Sequence, residues 1–321
     1  MIADLPFIGI DVSKERLDVH IHPTGKAFAA PNTPAGLRAL VARIRCLHPA
    51  AVGLEASGGY ERQAANALAA AGLTVHVLDA LQVRQFARSM KHIAKTDAID
   101  AAVIARYVAT ARDILKAYQP EPARERISEL AAQRRRLIDD EKEIRSLLDT
   151  TSEPMLKRMH RRRLAVIARE TAQLEAEIRR QIAADAGLAQ QAARLVSLPG
   201  VGPVLTATLI ADLKEIGRIG PKQIASLVGV APHARQSGKT IRSGKCGGGR
   251  KPVRDVLYMA TLSALRAKMP HLHPFYSRLR AAGKPFKVAL IATMRKFLII
   301  LNAIIRDGSE FRQIPIKTTV A

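Results

Sequence analysis

The sequence predicts three parts: an α/β domain over residues 1–118, a helical hairpin or coiled coil over 119–188, and a mainly α domain over 189–321. Three observations predict this division. Short strand-like segments near the N-terminus give way to alternating helix and strand. The middle is rich in Arg, Glu, Ala and Leu, with almost no glycine. The last part places a Gly-Val-Gly turn between apolar helical segments.

The N-terminal domain is predicted to begin with an antiparallel meander. Its three strands are PFIGID, RLDVHIH and KAFAA, separated by the turns VSKE and PTGK. Thr33 is expected to cap a helix, after which AVGLEA predicts a buried strand. A helix at about 60–71, the strand LTVHVLD and a helix starting near Asp97 complete the unit. Three strands followed by alternating helix and strand is the order of an RNase H-like sheet.

The middle segment has the apolar spacing of packed helices. Leu130, Leu137 and Ile144 recur every seven residues, and the TTSEP segment around Pro154 is expected to break the helix. A second series has three-four spacing: Leu164, Ile167, Thr171, Leu174 and Ile178. Residues 121–182 carry 15 basic and 12 acidic side chains, so we expect dimerisation or spacing rather than DNA binding.

The C-terminal domain begins with LVSLPGVGPVLTATLIADL, the pattern of a helix-hairpin-helix. Backbone N–H groups at such a turn can hold a phosphate, and an ordinary helix–helix turn would have the same pattern. The following stretch, VGVAPHARQSGKTIRSGKCGGGRKP, predicts a long polar loop of the kind that is often functional. Amphipathic helices are expected at about 252–268 and 285–306.

The charge of the chain indicates a polyanionic partner, with nucleic acid as the leading candidate. The net charge is +23 and the sequence pI is about 10.7. From Lys214 onward there are 21 Lys and Arg against four acidic residues. No stretch approaches the ~20 apolar residues of a membrane span, and no secretory signal is evident. Cys46 and Cys246 alone argue against a disulfide framework, so we expect a cytoplasmic protein.

Four carboxylates form a candidate metal centre. Asp11 ends the first predicted strand and Glu55 the fourth, while Asp97 and Asp100 are three residues apart at the start of a helix and so share one face. Clustered carboxylates repel one another unless a divalent ion neutralises them, and oxygen ligands favour Mg²⁺ or Mn²⁺. Two such ions support in-line phosphoryl displacement. The joint pattern therefore predicts phosphodiester chemistry.

Alternatives to this set of four acids remain open from the sequence alone. Asp18, Asp79 and Glu61 are nearby acids that could replace a mistaken choice. Asp97 and Asp100 could instead be favourable charges at a helix N-terminus.

Taken together, these segments resemble the DEDD-type transposases of insertion sequences, the IS110 family, which also includes the pilin-inversion recombinase. The similar segments are IGIDVSKERLDV, LEASGGYE, VRQFARSMKHIAKTDAIDA, LVSLPGVGPVLTATLIADL and LVGVAPHARQSGKT. The resemblance implies a RuvC-like N-terminal domain in which Asp11, Glu55, Asp97 and Asp100 bind the metal. It also implies that Ser237 is a nucleophile toward DNA. Family members act as dimers or tetramers, guided by a noncoding bridge RNA.

The segment around Ser237 departs from the family pattern in one respect. Where the family has a KxGN-like run, this chain has KCGGGRK. Ser243, also followed by Gly and Lys, competes with Ser237 as nucleophile, and from the residues alone Ser237 could be a linker serine. We expect basic side chains to hold phosphates, namely Lys95, Arg235, Lys239, Arg242, Lys245, Arg250, Lys251 and Arg254.

The carboxylate pattern thus predicts Mg²⁺- or Mn²⁺-dependent phosphodiester chemistry, and the resemblance implies a recombinase that cuts and rejoins element ends and target DNA through a covalent serine–DNA intermediate. With 4% aromatic residues and no Trp, extensive base stacking is not expected. The resemblance to the family implies that pairing with a guide RNA selects the target. We expect it in the bacterial cytoplasm, associated with the nucleoid. Two rivals remain: a junction-resolving RuvC-like nuclease in which water attacks, and a non-enzymatic nucleic-acid-binding protein.

Overall fold

The computed structural model describes residues 5–90, 97–237 and 240–311, with the backbone alone at 97–99, 233–237, 240–243 and 245. The chain divides into two compact units, 1–120 and 121–321. The predicted helical segment 119–188 belongs with the C-terminal helices in the second unit. Its separation from 189–321 as a domain of its own stays a prediction.

The first unit is a five-stranded mixed sheet with helices. Strand order is β3-β2-β1-β4-β5, with β1–β2–β3 antiparallel and β1–β4–β5 parallel. The strands are β1 (Phe7–Val12), β2 (Arg16–His22), β3 (Lys26–Pro31), β4 (Ala51–Glu55) and β5 (Val75–Leu78). The helices are α1 (Pro34–Cys46), α2 (Glu61–Ala70), α3 (Ala80–Ser89) and α4 (Asp97–Ala111). The predicted meander and the two later strands are confirmed.

Local signals in the sequence explain several boundaries of these elements. The Thr33 hydroxyl accepts a hydrogen bond from the Gly36 N–H, as expected of the residue that caps α1. Strand β4 is buried along almost its whole length because α-helices and neighbouring strands cover it. Helix α3 was not predicted, although Asp79 accepts bonds from the N–H groups at its start.

The second unit is almost wholly helical. It contains α5 (Pro122–Thr150), α6 (Pro154–Ala184), α7 (Ala186–Val196), α8 (Pro203–Asp212), α9 (Pro221–Val228), β6 (Pro232–Ser237), β7 (Thr240–Cys246), α10 (Lys251–Arg266), α11 (His273–Ala281) and α12 (Phe286–Asp307). The predicted helical hairpin is confirmed as α5 and α6, broken at Pro154. Leu137, Ile144 and Ile167 form a small core between these two helices, with Leu164 and Leu174 packed against it.

Polar contacts anchor the base of this helical hairpin to the other helices of its unit. Arg124, which is 8% exposed, donates to the Ile210 carbonyl at 2.5 Å and to the Gln191 side chain at 3.2 Å. Arg135 pairs with Asp212 at 2.6 Å. Because an unpaired charge in such a place would be costly, these bonds fix where α5 leaves the core.

The predicted helix-hairpin-helix corresponds to α7, a short turn and α8. Gly202 precedes α8 at its N-cap, followed by Pro203 at the first helical position, which suits the fixed φ of proline. Gly200 in the turn has a φ of +91° and lies against Ala264, so a side chain there would be strained. The arrangement of helices agrees with the sequence, and phosphate binding by the turn stays a prediction.

One helix among the described residues, α12, is long and apolar enough to cross a membrane by length and composition. The expectation that no stretch approaches this length is therefore wrong for α12. Half of its apolar window is buried inside the second unit, where Phe297, Leu298 and Leu301 are fully covered. A core helix passes the same test, so this is weak evidence for a membrane span.

Candidate active site

The strand register sets Asp11 beside Glu55. Strands β1 and β4 are parallel neighbours in the centre of the sheet, with Ile10 opposite Leu54. Asp11 and Glu55 are the next residues along these strands, and neighbouring strands lie about 4.8 Å apart. The two carboxylates therefore leave adjacent strands at the same level and on the same face.

Two glycines show which face this is. A Cβ atom added to Gly9 would lie 2.1 Å from the Ala101 carbonyl oxygen, and one added to Gly53 would lie 2.3 Å from the Val108 side chain. Both neighbours belong to α4, so this helix lies directly on the sheet at β1 and β4. Because side chains alternate along a strand, the residues two positions after these glycines also face the α4 side. Those residues are the two carboxylates.

The third predicted acid, Asp100, lies in the first turn of α4, next to the contact of this helix with Gly9. Asp100 immediately precedes Ala101, the residue whose carbonyl lies against Gly9, and its side chain is half-buried. Asp97 is the first residue of the helix, and its side chain lies outside the described residues. Residues three apart on a helix share a face, so the backbone places Asp97 beside Asp100. Within the described side chains, no group of three or more metal-binding residues is formed.

The rival acids Asp18 and Asp79 each have a local structural role. Asp18 accepts from Arg16 at 3.0 Å from Nε and 2.7 Å from Nη2. Asp79 caps α3 by accepting from the N–H groups of Leu81 and Gln82 at 2.9 and 3.1 Å. These contacts account for both carboxylates without a metal ion.

Glu61, the third rival, holds the loop that follows Glu55. It is 8% exposed, and its Oε2 accepts from the N–H groups of Ser57 at 3.0 Å and Gly59 at 2.8 Å. Sequence reasoning gave Glu61 no such role, although a carboxylate after a glycine-rich turn is a signal for loop hydrogen bonds. Glu61 thereby fixes the path of the chain directly after the end of β4.

Ser237 lies in a β-hairpin, not in the long loop that the sequence predicted. It is the last residue of β6 and is paired with Thr240 of β7, while residues 238–239 between them lie outside the described residues. Ser243 lies within β7. Backbone pairing in a two-stranded ribbon needs no buried face, so its polar composition gave no strand signal. The side chains of both serines are not described.

Arg250 and Arg254 fasten the end of this hairpin to the core of the second unit. Arg250 binds the Glu215 carboxylate with both guanidinium Nη atoms, at 2.5 and 2.6 Å, and the Asp212 carbonyl at 2.8 Å. Arg254 donates to the carbonyls of Val228 and Gly248. We call these contacts the arginine clamp. The side chains thus have protein partners, and their predicted contacts with phosphate stay a prediction.

The pKa of Glu215 reflects the clamp. Burial alone would raise the pKa of this carboxyl, and the hydrogen bonds and positive charge of Arg250 more than offset that effect, so the pKa lies below its usual value. The two side chains are 30% and 23% exposed. The Glu215 carboxylate is therefore ionised at neutral pH.

The three consecutive glycines in KCGGGRK, where this chain departs from the family pattern, allow the chain to pass close to α9 at the arginine clamp. Gly249 has a φ of +65°, and a Cβ there would lie 2.5 Å from the Leu227 carbonyl oxygen and 2.7 Å from the Gly229 nitrogen. Only glycine allows this approach. The chain can therefore return from β7 close to the end of α9 and enter α10 at the clamp.

The remaining predicted phosphate ligands fall into two groups. Lys251 is exposed and pairs with Asp255 at 2.5 Å, one helical turn away. Lys95 and Lys239 lie outside the described residues, as do the side chains of Arg235, Arg242 and Lys245.

Two family models match this chain in the order of its parts. Residues 8–152 match the DEDD transposase model of IS110 elements, and residues 192–277 match the transposase model of the IS116/IS110/IS902 family. The chain belongs to the IS110 family of transposases. The matches cover both the sheet with its acids and the hairpin with Ser237.

Individual relatives of this transposase include recombinases and insertion-element proteins. The pilin gene-inverting proteins of Moraxella bovis and Moraxella lacunata are each 28% identical over 319 residues, 95% of this chain and 97% of theirs. An uncharacterized 43.6 kDa protein of insertion element IS110 from Streptomyces coelicolor is 30% identical over 120 residues, 36% of this chain and 29% of its own. The chain is accordingly a DNA transposase or recombinase, and a non-enzymatic binder is not supported.

Proposed function

We propose that this transposase cuts and rejoins DNA with a DEDD metal centre on an RNase H-like, RuvC-like first unit and a serine nucleophile in the second. The observation that carries the proposal is the register of β1 and β4, which sets Asp11 level with Glu55 on the face covered by α4. Two rival acids have structural partners and the third holds a loop, which favours the assigned set.

The donor set suits Mg²⁺ or Mn²⁺. Asp11, Glu55, Asp97 and Asp100 would hold the metal, and all four offer only oxygen atoms. When bound, the metal neutralises charge on the oxygens of a phosphoryl group under displacement. The register of β1 and β4 supports this set by bringing Asp11 level with Glu55.

Ser237 would supply the attacking oxygen. Its Oγ forms a bond to the scissile phosphorus, the bond from phosphorus to one DNA oxygen breaks, and the serine proton ends on that leaving oxygen as a free hydroxyl. The DNA is then joined to the protein by a phosphodiester. A hydroxyl from another strand reverses these steps and rejoins DNA with no external source of energy.

The same proposal includes partners and setting. We expect basic residues near Ser237 in the sequence to hold phosphates of the element ends and target, together with Lys95, which is two residues before Asp97. The residues near Ser237 are Arg235, Lys239, Arg242 and Lys245. A noncoding guide RNA selects the target, and the protein works as a dimer or tetramer in the bacterial cytoplasm, associated with the nucleoid. Recombination that proceeds unchanged after removal of RNA would contradict the guide.

The decisive experiment compares Ser237→Ala with Ser243→Ala. Incubation with cognate DNA and Mg²⁺, followed by denaturation, should trap a covalent protein–DNA adduct in the native protein. We expect Ser237→Ala to abolish the adduct while DNA affinity stays within a few fold, and Ser243→Ala to keep it. An undiminished adduct in Ser237→Ala refutes the assignment, and metal-dependent cleavage without any adduct indicates a nuclease that uses water.

A further inference from the structure

The turn between α11 and α12 is a strongly basic surface that includes none of the residues of the arginine clamp. The chain contains no Asp or Glu between Asp255 and Asp307, but nine Lys and Arg. Residues 280–288 are exposed without interruption. Four of the nine cations lie in or beside this turn, and we call them the basic turn: Arg278, Arg280, Lys284 and Lys287.

Hydrogen bonds give the basic turn a defined conformation. The N–H of Gly283 donates to the Arg280 carbonyl at 3.0 Å, and the N–H of Lys284 donates to the Leu279 carbonyl at 3.1 Å. The guanidinium of Arg280 donates to the Lys284 carbonyl at 2.6 Å. These bonds close the C-terminus of α11. The guanidinium of Arg278 lies 5.5 Å from the centre of the Phe275 ring, and Lys284 and Lys287 are exposed.

Aromatic contacts tie the two helices together below the turn. Phe286, 45% exposed, meets Tyr276 edge to face with ring centroids 6.5 Å apart. Lys296 lies 4.9 Å from the centre of the Phe275 ring. A surface that is already ordered loses little conformational entropy on binding, so charge attraction can contribute to affinity without first ordering the turn.

The chemistry of the surface selects among possible partners. No ion pair of the described residues includes any of the four cations, so their charge is available to a polyanion. One exposed ring does not make the series of aromatic platforms that single strands use. Phe286 and Val288 at the start of α12 are 45% and 53% exposed, but the apolar side chains further along the helix, such as Phe297 and Leu301, are fully buried, so the exposed apolar area is small for a lipid surface. Duplex DNA, whose phosphates are regularly spaced, fits best.

We propose that the basic turn between α11 and α12 is a second DNA-binding surface that holds the phosphates of duplex DNA independently of base sequence. The family match ends at residue 277, so all four cations lie beyond it. The surface would add affinity and orientation, because phosphate contacts position a duplex without reading it.

The test is the salt dependence of binding by the full chain. We would measure the affinity of Arg278→Gln/Lys284→Gln/Lys287→Gln for a short duplex of arbitrary sequence between about 50 and 200 mM salt. Arg280 is left intact because its guanidinium bonds the turn. Each lost phosphate contact lowers the slope of log affinity against log salt by about 0.9, so the native protein should lose roughly 40-fold more affinity than the variant over this range.

Two controls make the result specific. Lys26→Gln/Arg38→Gln/Arg45→Gln removes the same charge from exposed positions of the first unit, and Arg278→Lys/Lys284→Arg/Lys287→Arg keeps the charge of the turn. We expect the charge-conserving variant to retain the native slope. The proposal is overturned if the Gln variant and the first-unit control have equal slopes, if the charge-conserving variant loses slope as well, or if only binding to single-stranded RNA or anionic vesicles falls.

Discussion

The acidic site of the first unit and the serine hairpin of the second are positioned by different physical means. Asp11 and Glu55 are fixed by backbone pairing of two buried strands, with glycines that let α4 close over them. The hairpin that carries Ser237 is a two-stranded ribbon fastened by charged side chains, chiefly Arg250 on Glu215. Backbone pairing inside a core is insensitive to solvent, whereas a partly exposed ion pair responds to charge and to pH.

This contrast predicts different weak points. In the first unit, removing a proposed metal-binding carboxylate should lower DNA cleavage. Adding a side chain at a glycine between the sheet and α4 should lower stability. In the second unit, reversing the charge of one clamp residue should lower stability and adduct formation. Reversing the charge of its partner as well should restore them. Each of the following experiments tests one side of the comparison.

The largest effect is expected at Asp11. Asp11→Asn should lower strand cleavage by more than about 100-fold, because even residues outside the ligand set of a metal are worth about 10–100-fold. Asp18→Asn is the matched control, since Asp18 lies opposite Asp11 across β1 and β2 and pairs with Arg16. It should stay within a few fold in a cleavage assay with Mg²⁺. Equal losses in both variants would contradict the assignment of Asp11.

The clamp is tested by charge reversal. Arg250→Glu should destabilise the second unit by about 2–3 kcal/mol, less than a fully buried pair because both side chains are partly exposed, and should stop adduct formation. Arg250→Glu/Glu215→Arg should recover most of the stability, measured by denaturant unfolding, and most of the adduct yield. If Arg250 is instead a phosphate ligand, the double variant regains stability but binds DNA poorly with a reduced salt slope.

A smaller effect is expected from the glycines beneath the acids. Gly9→Ala should destabilise the first unit by about 3 kcal/mol and Gly53→Ala by about 1 kcal/mol, within the range of overpacked cores. Gly9 meets the backbone of α4, which must move as a whole, while Gly53 meets side-chain methyl groups of Val108 and Ile104, so a smaller shift relieves the overlap. Thermal unfolding of both variants measures the difference. A Gly9→Ala protein of native stability would show that α4 does not lie where we describe it.

The smallest effect is the pH dependence of the clamp. Because folding lowers the pKa of Glu215, its contribution to stability is fully present above the unfolded pKa of about 4.3 and is lost as pH falls through the folded pKa. Unfolding free energies of the native protein and Glu215→Gln should therefore differ at neutral pH and converge in acid. A difference that grows on acidification would contradict this direction.

Most strands and helices of the first unit could be predicted from the sequence, because its strands are buried and short turns separate them. The acids could be placed at strand ends from this pattern, although their common face depends on the register and on Gly9 and Gly53, which no local pattern reveals. Helix α3 was missed because only one of its residues, Val83, is buried, leaving little apolar periodicity.

The second unit was harder to predict where charges pair over distance. Glu215 and Arg250 are 35 residues apart, so spacing gave no sign of their bond, and Arg250 looked like a free cation beside a basic loop. The ribbon of β6 and β7 was taken for a loop because its sequence is mostly polar. The helical hairpin was predicted correctly since its apolar repeat is long and regular.

Gly247, in the turn between β7 and α10, is a suitable position for a spectroscopic label. A Cβ atom there would meet nothing within 4 Å, and its φ is not among the positive values found at the next two glycines. A cysteine at this position could therefore carry a fluorescent or spin label without disturbing the backbone, once Cys46 and Cys246 are replaced by serine. Such a reporter would reveal in real time whether the ribbon moves when substrate arrives.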